Sequence, residues 1–151
     1  MNILEEARKY GDVIIGLLTD SAISEHKRLP YLNYKQREKI LKNFRGVDKV
    51  VPQKEWDYSF NIRKIRPNFM VHGDEWKVGP ARTLRKNVIK ALNKYGGKLI
   101  EIPYTKGVSS GAYVDSQRII STTPDIRRST LLRLINSKSI VRIIETHSPL
   151  S

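Results

Sequence analysis

The segment VIIGLLT, Val13 to Thr19, leaves this chain few ways to fold. Its residues are apolar or β-branched along the whole run, not at every second position. That suits a strand covered on both faces, as in parallel sheets flanked by helices. The apolar stretch Val13 to Leu18 is also far shorter than the roughly 20 residues a bilayer-spanning helix requires. The rest of the chain must therefore supply helices to cover this strand and further strands to pair with it.

It does so in alternation. Ile3, Leu4 and Ala7 recur at helical spacing, and Gly11 offers a C-cap, so a short helix precedes the strand. Asp20 to Leu32 reads as a polar loop. Asn33 caps a helix to about Asn43, with Gln36 completing a capping box. Asp48 to Val51 reads as a short strand ended by Pro52, and Trp56 to Ile65 as a helix that Pro67 stops. Phe69 to Val71 is a third strand and runs into the polar loop HGDEWKVGP. Leu84, Val88, Ala91, Leu92 and Tyr95 share one face of an amphipathic helix. Gly96 and Gly97 end that helix, and Lys98 to Ile102 is a fourth strand. PYTKGVSS then leads to a helix start near Ser109 or Ser110. This order predicts an α/β domain with a mostly parallel sheet. After about Ser116 the character changes. STTPD precedes a helix over Ile126 to Ile135 and a strand over Ile140 to Ile144, a helix–strand tail too small to form a core of its own.

Composition narrows the chemistry. The 151 residues are 39% hydrophobic and 28% charged, which fits an ordinary folded domain. There is no cysteine, so disulfides, thiolate nucleophiles and Cys-based zinc sites are excluded. MNILEEARKYGD is not a signal peptide, and the expected location is the cytoplasm. A net charge of +13 favours anionic partners without choosing among nucleotides, phosphorylated metabolites, nucleic acid and acidic proteins. No zinc-finger, RRM-like or glycine-loop RNA signature is present, so nucleic acid is not the expected partner.

In parallel α/β sheets, ligands sit beyond the C-terminal ends of the strands. HKR, HGDEW and TKGVSS all follow strands in that sense. His26, Lys27 and Arg28 can hold phosphate oxygens, or they can be an exposed basic loop. Gly73 allows close backbone approach, and Asp74 can accept from a ribose hydroxyl or a base amine. Trp76 can stack on a ligand or plug the domain edge. Lys106 to Ser110 resembles a phosphate nest, though a plain N-cap also explains one of Ser109 and Ser110. His72 and His147 have no neighbours at metal-ligand spacing. No protein metal centre is expected, and Mg²⁺ would arrive with a triphosphate.

Three ordered segments carry a family resemblance: FRGVD at Phe44 to Asp48, FMVHGDEWKVGP at Phe69 to Pro80, and IPYTKGVSS at Ile102 to Ser110. Over about residues 2 to 114 the chain resembles the cytidylyltransferases of the HxGH nucleotidyltransferase superfamily. The likeness is greatest to the phosphonate cytidylyltransferases, which can be fused to phosphoenolpyruvate mutase. The resemblance implies a Rossmann-like nucleotidyltransferase fold and transfer of CMP from CTP to a small phosphonate, with 2-aminoethylphosphonate the first candidate. On this sequence it implies that Lys27 neutralises the acceptor and α-phosphate. It also implies that Gly73, Asp74 and Trp76 form part of the cytidine pocket, and that Ser109 and Ser110 hold the β- and γ-phosphates. Arg45 becomes an acceptor-side contact. Tyr104 stands where glycerol-phosphate relatives often carry Arg.

In the family, a first strand, a GTFD-like turn and the HxGH motif precede a helix resembling Asn2 to Tyr10. Those elements do not occur here, and His26, His72 and His147 do not form that motif. DIRRSTLLRLINSKSIVRIIETHSPLS, from Asp125 on, resembles the opening of phosphoenolpyruvate mutase. The organisation expected on this basis is a partial cytidylyltransferase-like domain over 1–115, a linker over 116–125, and the truncated start of a mutase-like domain over 126–151. The fold expectation is then an incomplete Rossmann-like sheet with uncovered apolar edges, and the chain is expected to be inactive or weak. The alternatives are a non-catalytic basic module binding nucleotide or RNA, and an interaction domain that associates with itself.

Overall fold

The computed structural model describes residues 3–103, 124–138, 140 and 141. Helix α1 (Ile3–Arg8) opens the chain, and Gly11, at φ +129, turns it into strand β1 (Ile14–Leu18). Only glycine enters that backbone region without strain. A short helix α2 (Asp20–Ser24) and helix α3 (Tyr34–Lys42) lead to strand β2 (Lys49–Gln53). Helix α4 (Ser59–Ile65), strand β3 (Phe69–Gly73), helix α5 (Arg82–Asn93) and strand β4 (Lys98–Ile102) follow. Helix α6 (Pro124–Ser137) is the last described element. Ser109, Ser110 and most of the strand expected over Ile140 to Ile144 lie outside the described residues, and Ile140 and Val141 have no regular structure.

The strands pair in parallel as two two-stranded sheets, β1 with β2 and β3 with β4. The α/β class and parallel pairing agree with the sequence, and the short parallel sheets are consistent with a Rossmann-like nucleotidyltransferase fold. The expectation that β1 is covered on both faces is corrected. Ile14 is 42% exposed and Gly16, on the same face of the strand, is exposed too, whereas Val13 on the other face is buried, so the described residues cover one face only. Pro52 lies inside β2, opposite Leu17, and does not end it. It is tolerated because, among the described residues, β2 pairs with β1 alone and its other edge requires no N–H donor. The segment read as a loop after Thr19 begins with a helical turn. Thr19 Oγ1 accepts from the Ala22 N–H at 3.3 Å, and α2 buries Ala22, Ile23 and Ser24.

The main core lies on β3 and β4. Ile62 of α4, Trp76, and Val88, Ala91 and Leu92 of α5 form its buried cluster, with Met70, Leu84, Tyr95 and Leu99 packed around it. The amphipathic face read from the sequence is the one α5 buries. Arg66, at φ +51, caps α4 in the left-handed conformation, and Pro67 then prevents its continuation. Tyr10, just past α1, meets Phe69 of β3 with ring centroids 5.0 Å apart.

Candidate functional site

The residues of interest follow the C-terminal ends of the strands. After β1 and α2, the chain presents His26, Lys27 and Arg28, all exposed. The Lys27 amide donates to the Ile23 carbonyl at 2.7 Å, so the loop starts from the last turn of α2. Its side chains rest on Trp56, which comes just after β2. The His26 and Trp56 rings are 4.8 Å apart, and Lys27 Nζ lies 5.3 Å from the Trp56 ring centre. A cation in that position is held by the ring's quadrupole while remaining accessible to an anion.

A second cluster follows β3. Gly73 leads into a 3-10 turn, Asp74–Lys77, in which Trp76 is 1% exposed. His72 stacks on Trp76 with centroids 3.7 Å apart and planes 10° apart, so one face of the indole is already covered. Tyr58 approaches both rings, at 5.8 Å from His72 and 6.2 Å from Trp76. His72 Nδ1 donates to the Gly73 carbonyl at 2.8 Å, which fixes the imidazole at the strand end. Gly73 has an ordinary φ of −65, so it is not required for backbone strain. A methyl group there would strike the Glu75 carboxylate.

Beneath this turn, Trp76 Nε1 donates to Glu101 Oε1 at 2.8 Å, and Arg85 grips the same carboxylate through Nε at 2.8 Å and Nη2 at 2.9 Å. The Arg85 hydrogen bond is the largest influence holding the Glu101 pKa down to about 2, with smaller help from Trp76 and Lys77. Glu101 therefore stays ionised at neutral pH and locks β4, α5 and the Trp76 turn together. Burial, with a smaller contribution from Glu75, pushes the Tyr58 hydroxyl pKa up, so Tyr58 is a neutral phenol.

The two clusters are joined by the segment after β2, since Trp56 receives the Lys27 loop and Tyr58 receives His72 and Trp76. Gln53, 2% exposed, organises that segment. Its Nε2 donates to the carbonyls of Glu55 and Asp57 at 2.8 and 2.9 Å, and its Oε1 accepts from Asn61 at 2.6 Å. The Asp57 carboxylate accepts from the Ser59 amide at 2.8 Å and from Asn87 at 2.7 Å, tying the segment to α5. Gln53, Trp56, Tyr58 and His72 are the residues sequence reading passed over as site builders. The only hint was three aromatic residues close to strand ends.

Lys27 and the Gly73–Trp76 turn are thus linked, whereas Arg45 is not brought to them. Arg45 is exposed in the turn before β2, at the opposite end of the sheet. The same FRGVD segment has a visible packing role, because Asp48 Oδ2 accepts from the Val13 amide at 2.7 Å and so joins the entries of β1 and β2. Among the described residues, no group of three or more His, Cys, Asp or Glu could hold a metal ion. No described helix is long and apolar enough to cross a membrane.

The Cytidylyltransferase-like family matches residues 1–128. The chain belongs to that family. The glycerol-3-phosphate cytidylyltransferase of Bacillus spizizenii is 30% identical over 112 residues, covering 73% of this chain and 79% of that protein. The ethanolamine-phosphate cytidylyltransferase of Dictyostelium discoideum is 29% identical over 126 residues, 82% of this chain and 33% of that protein. Bifunctional protein HldE of Desulfatibacillum aliphaticivorans is 27% identical over 121 residues, 78% of this chain. This chain therefore matches most of the length of the Bacillus cytidylyltransferase, but only a third of the Dictyostelium protein and 24% of HldE. Lys27 and the Gly73–Trp76 turn both stand beyond the C-terminal ends of strands, after β1 and β3.

Proposed function

We propose that this domain transfers CMP from CTP to a small phosphonate of the 2-aminoethylphosphonate kind. In that reaction a phosphonate oxygen forms a bond to the α-phosphorus of CTP. The bond from that phosphorus to the bridging oxygen breaks, and Mg-pyrophosphate leaves. The observation that carries the reading is the bridging segment after β2, which holds the Lys27 loop with Trp56 and the Gly73–Trp76 turn with Tyr58. The Lys27 cation and the Gly73–Trp76 turn are thereby attached to one short stretch of backbone.

In this reading Lys27 neutralises the α-phosphate and the incoming phosphonate, where charge builds as the new bond forms. Asp74 accepts from the ribose or the base amine, with Gly73 leaving room for the nucleoside. Trp76 supports the turn from within the core. Ser109 and Ser110 receive the β- and γ-phosphates, and Mg²⁺ enters as part of the CTP substrate. The preference for a phosphonate, and fusion to a mutase, rest on the FRGVD, FMVHGDEWKVGP and IPYTKGVSS segments and on the sequence from Asp125 onward.

The deciding experiment is ³¹P NMR of the chain with CTP and Mg²⁺, offered 2-aminoethylphosphonate, phosphoethanolamine or glycerol 3-phosphate in turn. The expected result is weak turnover at most, seen as pyrophosphate together with a phosphonate–phosphate anhydride, both lost on Lys27→Ala. Turnover with a phosphate ester alone would overturn the phosphonate assignment. CTP resonances that shift without turnover would favour the non-catalytic nucleotide-binding reading, which the net charge of +13 also suits.

A further inference from the structure

The loop from Glu25 to Leu32 is held at one end by Trp56. Its other end is held by a residue from the far end of the chain. Arg133 of α6 donates from Nη1 to the carbonyls of Pro30 and Tyr31 at 2.9 and 2.8 Å. From Nη2 it donates to Asp20 Oδ2 at 3.2 Å and to the Leu32 carbonyl at 3.4 Å. The carbonyls of Pro30, Tyr31 and Leu32 thus converge on one guanidinium, a geometry that suits the planar fork of arginine. Asp20, the first residue of α2, supplies the counter-charge and accepts from Arg37 Nη2 at 2.7 Å on its other oxygen. A further contact, Ser24 Oγ to the Ser137 carbonyl at 3.2 Å, seats the end of α6 on α2.

We infer that Arg133 is a positioning residue for the cationic cluster, and that α6 sets the loop that presents Lys27. This rests on the role proposed above for Lys27, but the clamp is a separate physical statement. Residues Glu25 to Arg28 are exposed and belong to no described helix or strand. Besides the bonds of the His26 and Lys27 amides to the Ile23 carbonyl and of Arg37 Nε to the Leu32 carbonyl at 3.2 Å, Trp56 and Arg133 hold the loop that carries Lys27. The Arg133 side chain is mostly covered, and its Nε is buried without a hydrogen-bond partner. Such a group is inserted as a peg and is not merely resting on the surface. Removing it takes away the bonds to the Pro30 and Tyr31 carbonyls and leaves the Leu32 carbonyl to Arg37. Anything that moves α6 then moves the phosphate-binding cation with it.

Hydrogen exchange of the full chain, wild type against Arg133→Ala, tests this directly. The His26 and Lys27 amides, which donate to the Ile23 carbonyl, should exchange about tenfold faster in the variant, while those of β3, β4 and α5 keep their protection. Trp56 emission should shift to the red, with the buried Trp76 unchanged as an internal reference, and Arg133→Lys should restore part of both signals. Binding of inorganic tripolyphosphate should weaken comparably in Arg133→Ala and Lys27→Ala, and no further in the double variant. Unchanged exchange of the His26 and Lys27 amides would overturn the clamp. Should Arg133→Ala also unprotect β3, β4 and α5, Arg133→Lys decides, since it must loosen only the loop. A wild-type chain that ignores tripolyphosphate would count against the proposed function, with the exchange result still deciding the clamp.

Discussion

Trp76 shows how one residue can be read two ways from sequence and one way from structure. Beside Gly73 and Asp74 it could stack on a base or plug the domain. At 1% exposure, with His72 on one face and Glu101 on its N–H, it is a core side chain that shapes the loop above it. Trp76→Ala should therefore lower stability by about 3–5 kcal/mol in urea denaturation, the usual effect of emptying a buried aromatic site. Glu101 gives a pH signature. Its folded pKa is about 2 against an ordinary 4.5, so its contribution is complete above 4.5 and is lost as pH falls toward about 2. The urea midpoint should drop across that window, and Glu101→Gln should flatten the drop. An equal slope in both proteins would mean that other carboxylates dominate. The depressed Glu101 was not legible in the sequence, because Arg85 and Trp76 reach it only after α5 folds over β4.

At the level of elements, the sequence was most legible where local chemistry suffices. The Asn33 capping box is present with both bonds, Gln36 N to Asn33 Oδ1 at 3.0 Å and Asn33 N to Gln36 Oε1 at 2.9 Å. Asn33→Ala should cost about 1 kcal/mol in chemical denaturation, and Asn33→Ser should restore most of it. No loss would mean that α3 is held by packing alone. The helix α2 was not legible, because five residues carry too little periodicity to distinguish a turn from a loop. The Thr19 cap and the burial of Ile23 are what make it helical. Pro52 misled in the other direction. A proline ends a central strand, but among the described residues β2 is an edge strand, and it keeps pairing through Gln53.

For the whole molecule, the distribution of apolar surface matters most. Among the described residues, β1 and β3 each pair on one side only, and Ile14 and Phe69 at their starts are 42% and 37% exposed. Unpaired parallel edges with apolar flanks favour association with further strands. Sedimentation velocity should therefore show self-association that grows with protein concentration. Ile14→Lys should reduce it by placing a charge at the edge. A strictly monomeric chain at high concentration would show that the edges are protected by the remainder of the protein.

The strand–helix alternation, the parallel class, the caps and the placement of HKR and HGDEW after strands were all written locally. Propensity, capping and periodicity act within a few residues and can be read directly. The joining of those loops through Trp56 and Tyr58, the internal role of Gln53, the burial of Trp76 and the grip of Arg133 on the Lys27 loop depend on partners distant in the chain. Such contacts exist only once parallel pairing has set the register, because a hydrogen bond or ring contact forms only where the backbone brings its two ends within a few ångströms.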